Sequence, residues 1–481
     1  MSKSLKQRSI YIIIGIFILL LGVLPLPSAS VEAGGTALSS EGRISLCVLL
    51  FCLFLWITEP IPFHITGLFG ILLTALFKIA SFKDAVKTGF GSDTVIFFLG
   101  VLILSEFMSK SGLGKRISMF ILSLTGNRTS YILLGFLTVG TLLSMWVTDM
   151  AVAAMLTPLA CAMLKEEGLE PLKSNFGKSL MISCAWGPIV GGIGTPAGAG
   201  PNQLAIGFIQ DMLGEEITFL QWMVYGIPCA LMLILPTWFV LLKCFPLEIR
   251  TLSKSNEDLK EEFKCLPKMS KDEISTCFVF LFTIFCWVCS SRLEKILGIS
   301  IPTSLPALLG ACLLFLPGLS RFTWKDINEN ISWSGIILIA TGITVGMELY
   351  NTGAAEWLSN ILLGRISELQ PILMIFVLII VISILKVGLS SNTVTATVII
   401  PIVIVMIQSF HLPVMGVLIP ASLTLSLAFI LVTSTPTSVI PYSTGYFSIP
   451  DMAKAGVILT LISSVIMTIC IYLIGLITGI Y

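Results

Sequence analysis

A series of apolar runs dominates this chain, and each run is long enough, or nearly so, to cross a lipid bilayer as one helix. A helix needs roughly 20 predominantly apolar residues to span the hydrocarbon core. About eleven runs approach that length, and they lie at 10–26, 44–59, 63–80, 93–110, 178–194, 219–243, 275–291, 303–318, 335–350, 411–432 and 455–479.

The composition favours a polytopic membrane protein over a soluble one. Of the 481 residues, 56% are hydrophobic and only 11% are charged, whereas soluble domains carry about 25% charged residues. We therefore expect an all-α membrane protein, embedded in lipid, with no nucleic-acid partner. The first run follows Lys3, Lys6 and Arg8 as in a signal peptide, but a first transmembrane helix is the simpler interpretation in a chain with so many spans.

The distribution of basic residues predicts the orientation, because cytoplasmic loops are enriched in Lys and Arg. The loop after the fifth span carries Asp211, Glu215 and Glu216 and neither Lys nor Arg, which suits the outside. We therefore predict a multi-pass protein of the plasma or inner membrane with a cytoplasmic N-terminus and an external C-terminus. The long hydrophilic linker, predicted to be cytoplasmic, contains Lys243, Arg250, Lys254, Lys260, Lys264, Lys268 and Lys271.

The two halves of the chain resemble each other. The segment "VTDMAVAAMLTP" ending at Pro158 matches "SSNTVTATVIIP" ending at Pro401, and "GTPAGAGP" (194–201) matches "STPTSVIP" (434–441). Two further matches fall in the same order at nearly the same offset, which indicates a duplication. If the interrupted stretches are re-entrant hairpins, each unit has an odd number of spans, and the repeats have inverted topology, as in many transporters.

This duplication predicts the domain organisation. The linker separates two repeats, and each repeat contains one apolar stretch that a polar motif interrupts at mid-length. The predicted units are an N-terminal helix and loop at 1–43, a first repeat at 44–243 with its hairpin at 130–165, a cytoplasmic linker at 244–274, and a second repeat at 275–481 with its hairpin at 370–409.

Each repeat also carries a Gly/Pro break, "GPIVGGIGTPAGAGP" (187–201) in the first and "TSTPTSVIP" (433–441) in the second. One Gly/Pro kink alone is more often structural than functional in membrane helices. Non-helical backbone at membrane depth is tolerated only where it is buried in protein or lines a cavity. Four breaks at duplicated positions therefore indicate a binding site, in which freed carbonyls suit a cation and helix N-termini suit an anion.

These motifs resemble those of the divalent anion:sodium symporter family, the sodium-coupled di- and tricarboxylate transporters and related exchangers. The resemblance extends over nearly the whole chain and depends on "SSNTVTATVIIP", on "GGIGTPAGAGPN" (191–202), and on the ending "GYFSIPDMAKAG" (445–456). It implies an elevator-type transporter and a homodimer, in which a Ser-Asn-Thr signature at each of two hairpin tips binds substrate carboxylates and sodium ions bind nearby.

The resemblance also implies site residues, carried over by position in this sequence. The expected substrate-binding residues are Thr148, Asp149, Thr195, Pro196, Ser391, Asn392, Thr393, Thr435 and Pro436. The expected sodium ligands are Ser144, Thr148, Asp149, Gly194, Ser390, Asn392 and Ser434.

The sequence departs from the family pattern at two places. The first tip reads Thr148-Asp149-Met150 instead of Ser-Asn-Thr, and Lys386 stands in the second hairpin beside Val387, where the first hairpin has a hydroxyl. One hypothesis is that Lys386 compensates the charge of Asp149 and replaces one sodium ion, so that the second cation site is absent or altered. Asp149 is otherwise interpreted as a sodium ligand, a proton site or a solvated residue, and Lys386 as a lysine that snorkels to the surface.

The function expected from the sequence is secondary active transport of di- or tricarboxylates by sodium symport or by anion exchange. The alternative is a sodium-independent or proton-coupled exchanger of another small anion. An enzyme is not expected, since the sequence has neither an H-E-x-x-H nor a G-x-G-D motif and only two histidines, His64 and His411. The inverted duplication also favours alternating access over a channel.

Overall fold

The computed structural model is helical almost throughout, which confirms the expected all-α fold. The one sheet in the described part of the chain is a two-residue antiparallel pair, β1 (Glu32–Ala33) and β2 (Thr36–Ala37). The structure describes residues 5–24, 32–33, 36–253, 261, 266–363, 366, 369–389 and 391–480.

The helices of the first half precede the hydrophilic linker. They are α1 (Leu5–Val23), α2 (Ser40–Thr58), α3 (Phe63–Leu76), α4 (Phe82–Phe90), α5 (Asp93–Lys110), α6 (Leu113–Ser123), α7 (Thr129–Ser144), α8 (Asp149–Glu166), α9 (Asn175–Gly192), α10 (Gly200–Leu213) and α11 (Phe219–Cys244).

The helices of the second half follow the linker. They are α12 (Lys271–Val288), α13 (Ser290–Leu297), α14 (Ser304–Leu313), α15 (Trp324–Asn328), α16 (Trp333–Asn351), α17 (Ala354–Leu362), α18 (Pro371–Val387), α19 (Asn392–Ser409), α20 (Val414–Ser426), α21 (Pro436–Tyr442) and α22 (Ile449–Thr478), with a 3-10 turn at Val432–Ser434.

Side-chain caps determine where several of these helices begin. At the start of α12, Ser270 Oγ accepts a hydrogen bond from the backbone N–H of Glu273 at 3.1 Å, and Glu273 Oε2 accepts one from the N–H of Ser270 at 2.6 Å. This reciprocal capping box satisfies two backbone donors that a helix N-terminus leaves free. The same arrangement of Ser448 and Asp451 starts α22.

Several helices are long and apolar enough to cross a membrane, and the chain is a multi-pass membrane protein. Within the described residues, five single helices meet this description, or up to seven if two bent pairs each count as one span. Large apolar side chains face outward along these helices, as Leu235 does at 60% exposure and Ile477 at 84%. The predicted total of about eleven spans stays a prediction.

The four predicted breaks coincide with interruptions of helices. The chain leaves helical geometry between α7 and α8, between α9 and α10, between α18 and α19, and between α20 and α21. The apolar run predicted at 411–432 is shorter as a helix, because α20 ends at Ser426 and the chain then continues without regular structure to Val432. Thus the polar hairpin tips and the Gly/Pro breaks are all real ends of helices.

Eighteen of the 22 described helices pack into two groups. The frame group consists of α2 to α5, α12 and α14 to α16, in which α16 packs on α3 and α4, and α14 packs on α5 and α12. The hairpin group consists of α7 to α11 and α18 to α22, in which α7 packs on α9, α11 packs on α22, and α20 packs on α18 and α19. The groups meet where α16 contacts α19 and α10, and where α5 contacts α10 and α8.

Glycines allow close approach where the two groups meet. A Cβ on Gly342 of α16 would lie 2.5 Å from Thr397 Oγ1 of α19, and a Cβ on Gly207 of α10 would collide with Thr94 of α5. Small residues of this kind let membrane helices pack closely. A larger side chain at either glycine would therefore force the two groups apart.

Polar contacts join segments that the charge pattern assigns to the same side of the membrane. Arg116 Nε donates to Glu273 Oε1 at 2.7 Å, and both residues belong to segments predicted to be cytoplasmic. Ser39 Oγ donates to the carbonyl of Thr352 at 3.2 Å, and both belong to segments predicted to be external. The topology predicted from charge is therefore consistent with the packing of these segments.

Candidate functional site

The first hairpin tip places Asp149 in the first turn of α8, against two other elements. Its backbone N–H donates to the carbonyl of Gly198 at 3.2 Å. Its Oδ1 accepts from the N–H of Met150 at 2.7 Å, and the hydroxyl of Thr437 at the start of α21 lies near the carboxylate. The carboxylate therefore has neutral neighbours at the point where the first hairpin meets both Gly/Pro breaks.

Thr148, the residue before Asp149, contacts the frame group. Its Oγ1 lies 3.1 Å from Ser105 Oγ of α5, and its backbone N–H donates to the same Ser105 oxygen at 3.3 Å. Both hydroxyls are buried. The first tip is thus held against α5 through a side chain that the sequence motifs did not single out.

A buried hydroxyl without a partner lies at the end of α7. Ser144 is fully buried, and its Oγ has no hydrogen-bond partner among the described residues. The main chain of Gly198 comes so close that a Cβ there would lie 2.7 Å from the carbonyl oxygen of Ser144 and would collide with the carbonyl of Gly192. Hard cations take oxygen ligands, so the unpartnered Ser144 hydroxyl is a candidate sodium ligand.

Thr195 was expected to bind substrate and Gly194 to bind sodium, but in the structure both contact other groups of the protein. The Thr195 hydroxyl donates to the carbonyl of Met145 and accepts from the N–H of Ala197 at 3.2 Å, so it holds the tip of the first hairpin. The carbonyl oxygen of Gly194 lies 2.6 Å from the position of a Cβ on Gly226, and it therefore faces α11. Neighbouring Pro196 is buried.

The second hairpin tip presents the intact Ser-Asn-Thr signature. The Ser391 hydroxyl caps α19 by accepting from the N–H of Val394 at 3.4 Å. Asn392 Nδ2 donates to the carbonyl of Ser426 at 3.2 Å, while its Oδ1 is buried without a partner among the described residues. Ser390 lies outside the described residues.

The second break ends in a chain of hydroxyls. Thr435 caps α21 by accepting from the N–H of Thr437 at 3.3 Å, and its hydroxyl donates to Thr437 Oγ1 at 3.1 Å. Thr437 in turn reaches Asp149. Pro436 is the first residue of α21 and is exposed, and the buried Ser438 hydroxyl that follows has no partner among the described residues.

Asn202 joins the first break to the end of α20. Its Nδ2 donates to the carbonyls of Gly192 and Thr195, at 2.8 Å each, and its Oδ1 accepts from Ser426 Oγ at 2.9 Å. The carbonyl of the same Ser426 accepts from Asn392. A continuous set of hydrogen bonds therefore connects the first break, α20 and the tip of the second hairpin.

The two tips lie close together. The N–H of Asp149 binds the carbonyl of Gly198, and Thr393 Oγ1 lies 3.2 Å from the position of a Cβ on Gly200. Two residues of extended chain span at most about 7 Å. The two tips therefore lie next to each other, with an intact signature on one side and a carboxylate on the other.

Comparison with known families agrees with this arrangement. The family described as "Sodium:sulfate symporter transmembrane region" matches residues 3–480. The chain belongs to this family. The resemblance to the divalent anion:sodium symporters, inferred from the motifs, is thereby confirmed.

Relatives within the sodium:sulfate symporter family carry names that indicate their transport activity. A sodium-dependent dicarboxylate transporter of Staphylococcus saprophyticus is 28% identical over 451 residues, covering 90% of this chain and 86% of the relative. One of Staphylococcus aureus is 29% identical over 448 residues, with the same coverage of 90% and 86%.

Two solved transporters share the overall fold. MtrF of Neisseria gonorrhoeae, described with a class of antimetabolite efflux pumps, matches with a TM-score of 0.55 at 14% identity, over 97% of this chain and 94% of its own. The YdaH transporter of Alcanivorax borkumensis matches with a TM-score of 0.56 at 10% identity, over 97% and 98%. At such low identity these matches show the fold alone.

Lys386 contacts the end of α20. Its Nζ donates to the carbonyl of Thr424 at 3.1 Å, and the side chain is only 6% exposed. Among the described residues Lys386 forms no ion pair with Asp149, although the sequence suggested one. The reason is that Lys386 turns towards α20, whereas Asp149 lies against α21. The Lys386 side chain is buried, so it does not snorkel to the surface.

Sequence reasoning missed several residues of the site. Ser105 and Ser426 lie in apolar runs and have no motif that marks them. Asn202 and Thr437 stand inside the recognised break motifs, directly beside residues that were chosen, and their amide and hydroxyl groups were the available signal. Only the packing of α5, α20 and α21 reveals what these side chains contact.

Proposed function

We propose that this protein is a secondary active transporter of di- or tricarboxylates such as succinate, malate, fumarate or 2-oxoglutarate. The main observation in support is that two hairpin tips and two Gly/Pro breaks converge on one small site. The names of the staphylococcal relatives, which are sodium-dependent dicarboxylate transporters, support the same substrate class.

The chemistry of the second tip suits a carboxylate that must be bound and then released. Ser391 and Thr393 offer hydroxyls and Asn392 offers an amide at the N-terminus of α19, where the helix dipole also favours an anion. Neutral donors hold a carboxylate without the permanent charge of an Arg clamp. The other carboxylate of the substrate then lies towards the first tip.

Sodium is the proposed coupling ion at the first tip. Ser144, the last residue of α7, supplies an unpartnered buried hydroxyl, and Asp149, the first residue of α8, supplies a carboxylate. A cation bound there lowers the electrostatic cost of bringing an anion into the site. Sodium symport is therefore the favoured coupling, with a single ion at this tip.

The movement proposed is that of an elevator, in which the hairpin group carries the substrate past the frame group. The supporting observation is the division of the helices, together with the small residues where α16 meets α19 and where α5 meets α10. The inverted repeats, re-entrant hairpins, homodimer and cytoplasmic N-terminus belong to the same proposal.

A second function is favoured by one observation, the contact of Lys386 with the carboxyl end of α20. An ammonium fixed there lowers the number of sodium ions that the site needs. The alternative is therefore an exchanger that works with less sodium than a symporter, or with none.

Ligand-induced thermal stabilisation tests the proposed substrate. A ligand that binds only the folded protein raises its melting temperature, so succinate, fumarate, malate and 2-oxoglutarate should each do so, and more strongly in sodium than in choline. Asn392→Ala should abolish the shift, whereas Asn330→Ala, an exposed asparagine that bonds Glu106 in the frame group, should leave it unchanged. Stabilisation by sulfate alone would contradict the carboxylate assignment.

A further inference from the structure

The second hairpin contains a buried cation of its own. Lys386 lies in the last turn of α18, only 6% exposed, and its ammonium group donates to the carbonyl of Thr424 at 3.1 Å. No carboxylate forms an ion pair with it anywhere in the part of the chain that the structure describes. A buried charge without a counter-charge is costly, so dipoles or a bound ion in its surroundings must compensate it.

The surroundings of the ammonium group are those expected for a bound metal cation. The carbonyls in the last turn of a helix form the negative end of the helix dipole, and a carbonyl oxygen that accepts one backbone N–H keeps a second lone pair for another donor. Thr424 lies in that turn of α20. Lys386 lines a small cavity. Its other walls include the hydroxyl-bearing residues Ser383, Ser434 and Thr460 and the irregular backbone that follows α20.

This cation lies beside the intact anion-binding tip. Asn392 binds the carbonyl of Ser426, and Lys386 binds the carbonyl of Thr424, only two residues earlier. An α-helix rises about 1.5 Å per residue, so the two acceptor residues lie about 3 Å apart along the axis of α20. The ammonium group and the second tip therefore bind the same end of α20.

The residue that is buried at this place in the second hairpin differs from its counterpart in the first hairpin. Ser144 is fully buried at the end of α7, whereas Val387, its counterpart by sequence offset, is 43% exposed. Lys386 and Val387 both line the cavity, and Lys386 is the buried one of the two. The second hairpin thus replaces a buried hydroxyl by a buried ammonium group.

We propose that Lys386 is a resident cation that occupies the second ion site, so that the protein binds one sodium ion, at the first tip, where two would otherwise be needed. This inference deepens the proposed function and rests on it for the anion. The count of bound sodium ions depends only on the protein and can be measured without substrate.

The test is equilibrium binding of radioactive sodium to the purified, detergent-solubilised full chain. The wild type should bind about one sodium ion per protein. Lys386→Ser removes the ammonium group and adds a hydroxyl oxygen, and it should raise the number to about two. Lys454→Ser, which removes an exposed lysine of α22 in the hairpin group, should leave it at one.

The outcomes separate this inference from the proposed function. Two sodium ions bound to the wild type, or the same number bound to wild type and Lys386→Ser, would overturn the assignment. If Lys386→Ser does not fold, the wild-type count alone decides. A wild type that binds one sodium ion but no dicarboxylate would leave the ion assignment standing and would remove the proposed substrate.

Discussion

At the scale of single residues, the departures from the family pattern are where the structure adds most. Asp149 has neutral neighbours, the N–H of Met150 and the hydroxyl of Thr437, and no cationic side chain of the described residues forms an ion pair with it. The sequence predicted a polar residue at this tip and identified the anomalous charge. It could not predict the partners, because Thr437 approaches from the other repeat, 288 residues away in the chain (437 − 149).

Asp149→Asn should strengthen the binding of dicarboxylates. The amide keeps an oxygen for the N–H of Met150, removes a negative charge that repels the substrate and adds two donors. At saturating sodium we expect a dissociation constant for succinate about tenfold lower, which corresponds to about 1.4 kcal/mol. Isothermal titration calorimetry measures it, with Asp149→Ala as the variant that removes charge without adding donors. Unchanged or weaker binding by Asp149→Asn would show that the carboxylate does not repel the substrate.

At the scale of helices, the sequence predicted the breaks better than the spans. The polar tips and Gly/Pro segments are ends of helices at the expected places, because Pro and Gly determine local backbone geometry. The extent of the run at 411–432 was wrong, since apolar composition cannot distinguish helix from buried irregular chain. Lys386 lies where the sequence placed it, but its partner is a carbonyl of α20, and a main-chain acceptor carries no sequence signal.

Gly342→Ala should slow transport while preserving substrate binding. The added Cβ would lie 2.5 Å from Thr397 Oγ1, at the surface where α16 of the frame group meets α19 of the hairpin group. We expect uptake to fall several-fold with little change in dicarboxylate affinity. Thr397→Ala removes the opposing oxygen, so the double variant should recover much of the lost rate, as a double-mutant cycle would record. Equal losses of binding and uptake would instead indicate general damage to the fold.

At the scale of the whole molecule, charge and duplication predicted a topology whose orientation stays a prediction, while the packing is consistent with which segments share a side. Contacts such as Arg116 with Glu273 and Ser39 with Thr352 join segments assigned to the same side. The division into a frame group and a hairpin group was implied by the family resemblance. Composition and periodicity cannot reveal it, because which helices touch depends on long-range packing.

Sidedness can be tested with thiol labelling. Lys295→Cys in α13 should react with a membrane-impermeant maleimide added to intact cells, whereas Lys173→Cys, in the loop between α8 and α9, should react only after the membrane is opened. Both lysines are exposed in the structure, the Lys173 side chain at 79%. The unsubstituted protein corrects for its native cysteines. The opposite pattern would invert the predicted orientation.

The most direct test of the central claim is counterflow in proteoliposomes. Vesicles that contain the purified protein are loaded with unlabelled succinate, and uptake of external labelled succinate is followed with sodium on both sides. We predict saturable uptake with a transient overshoot for the wild type, and at least tenfold less for Asn392→Ala. Counterflow that is absent from the folded wild type, or undiminished in Asn392→Ala, would contradict dicarboxylate transport through the site between the two hairpin tips.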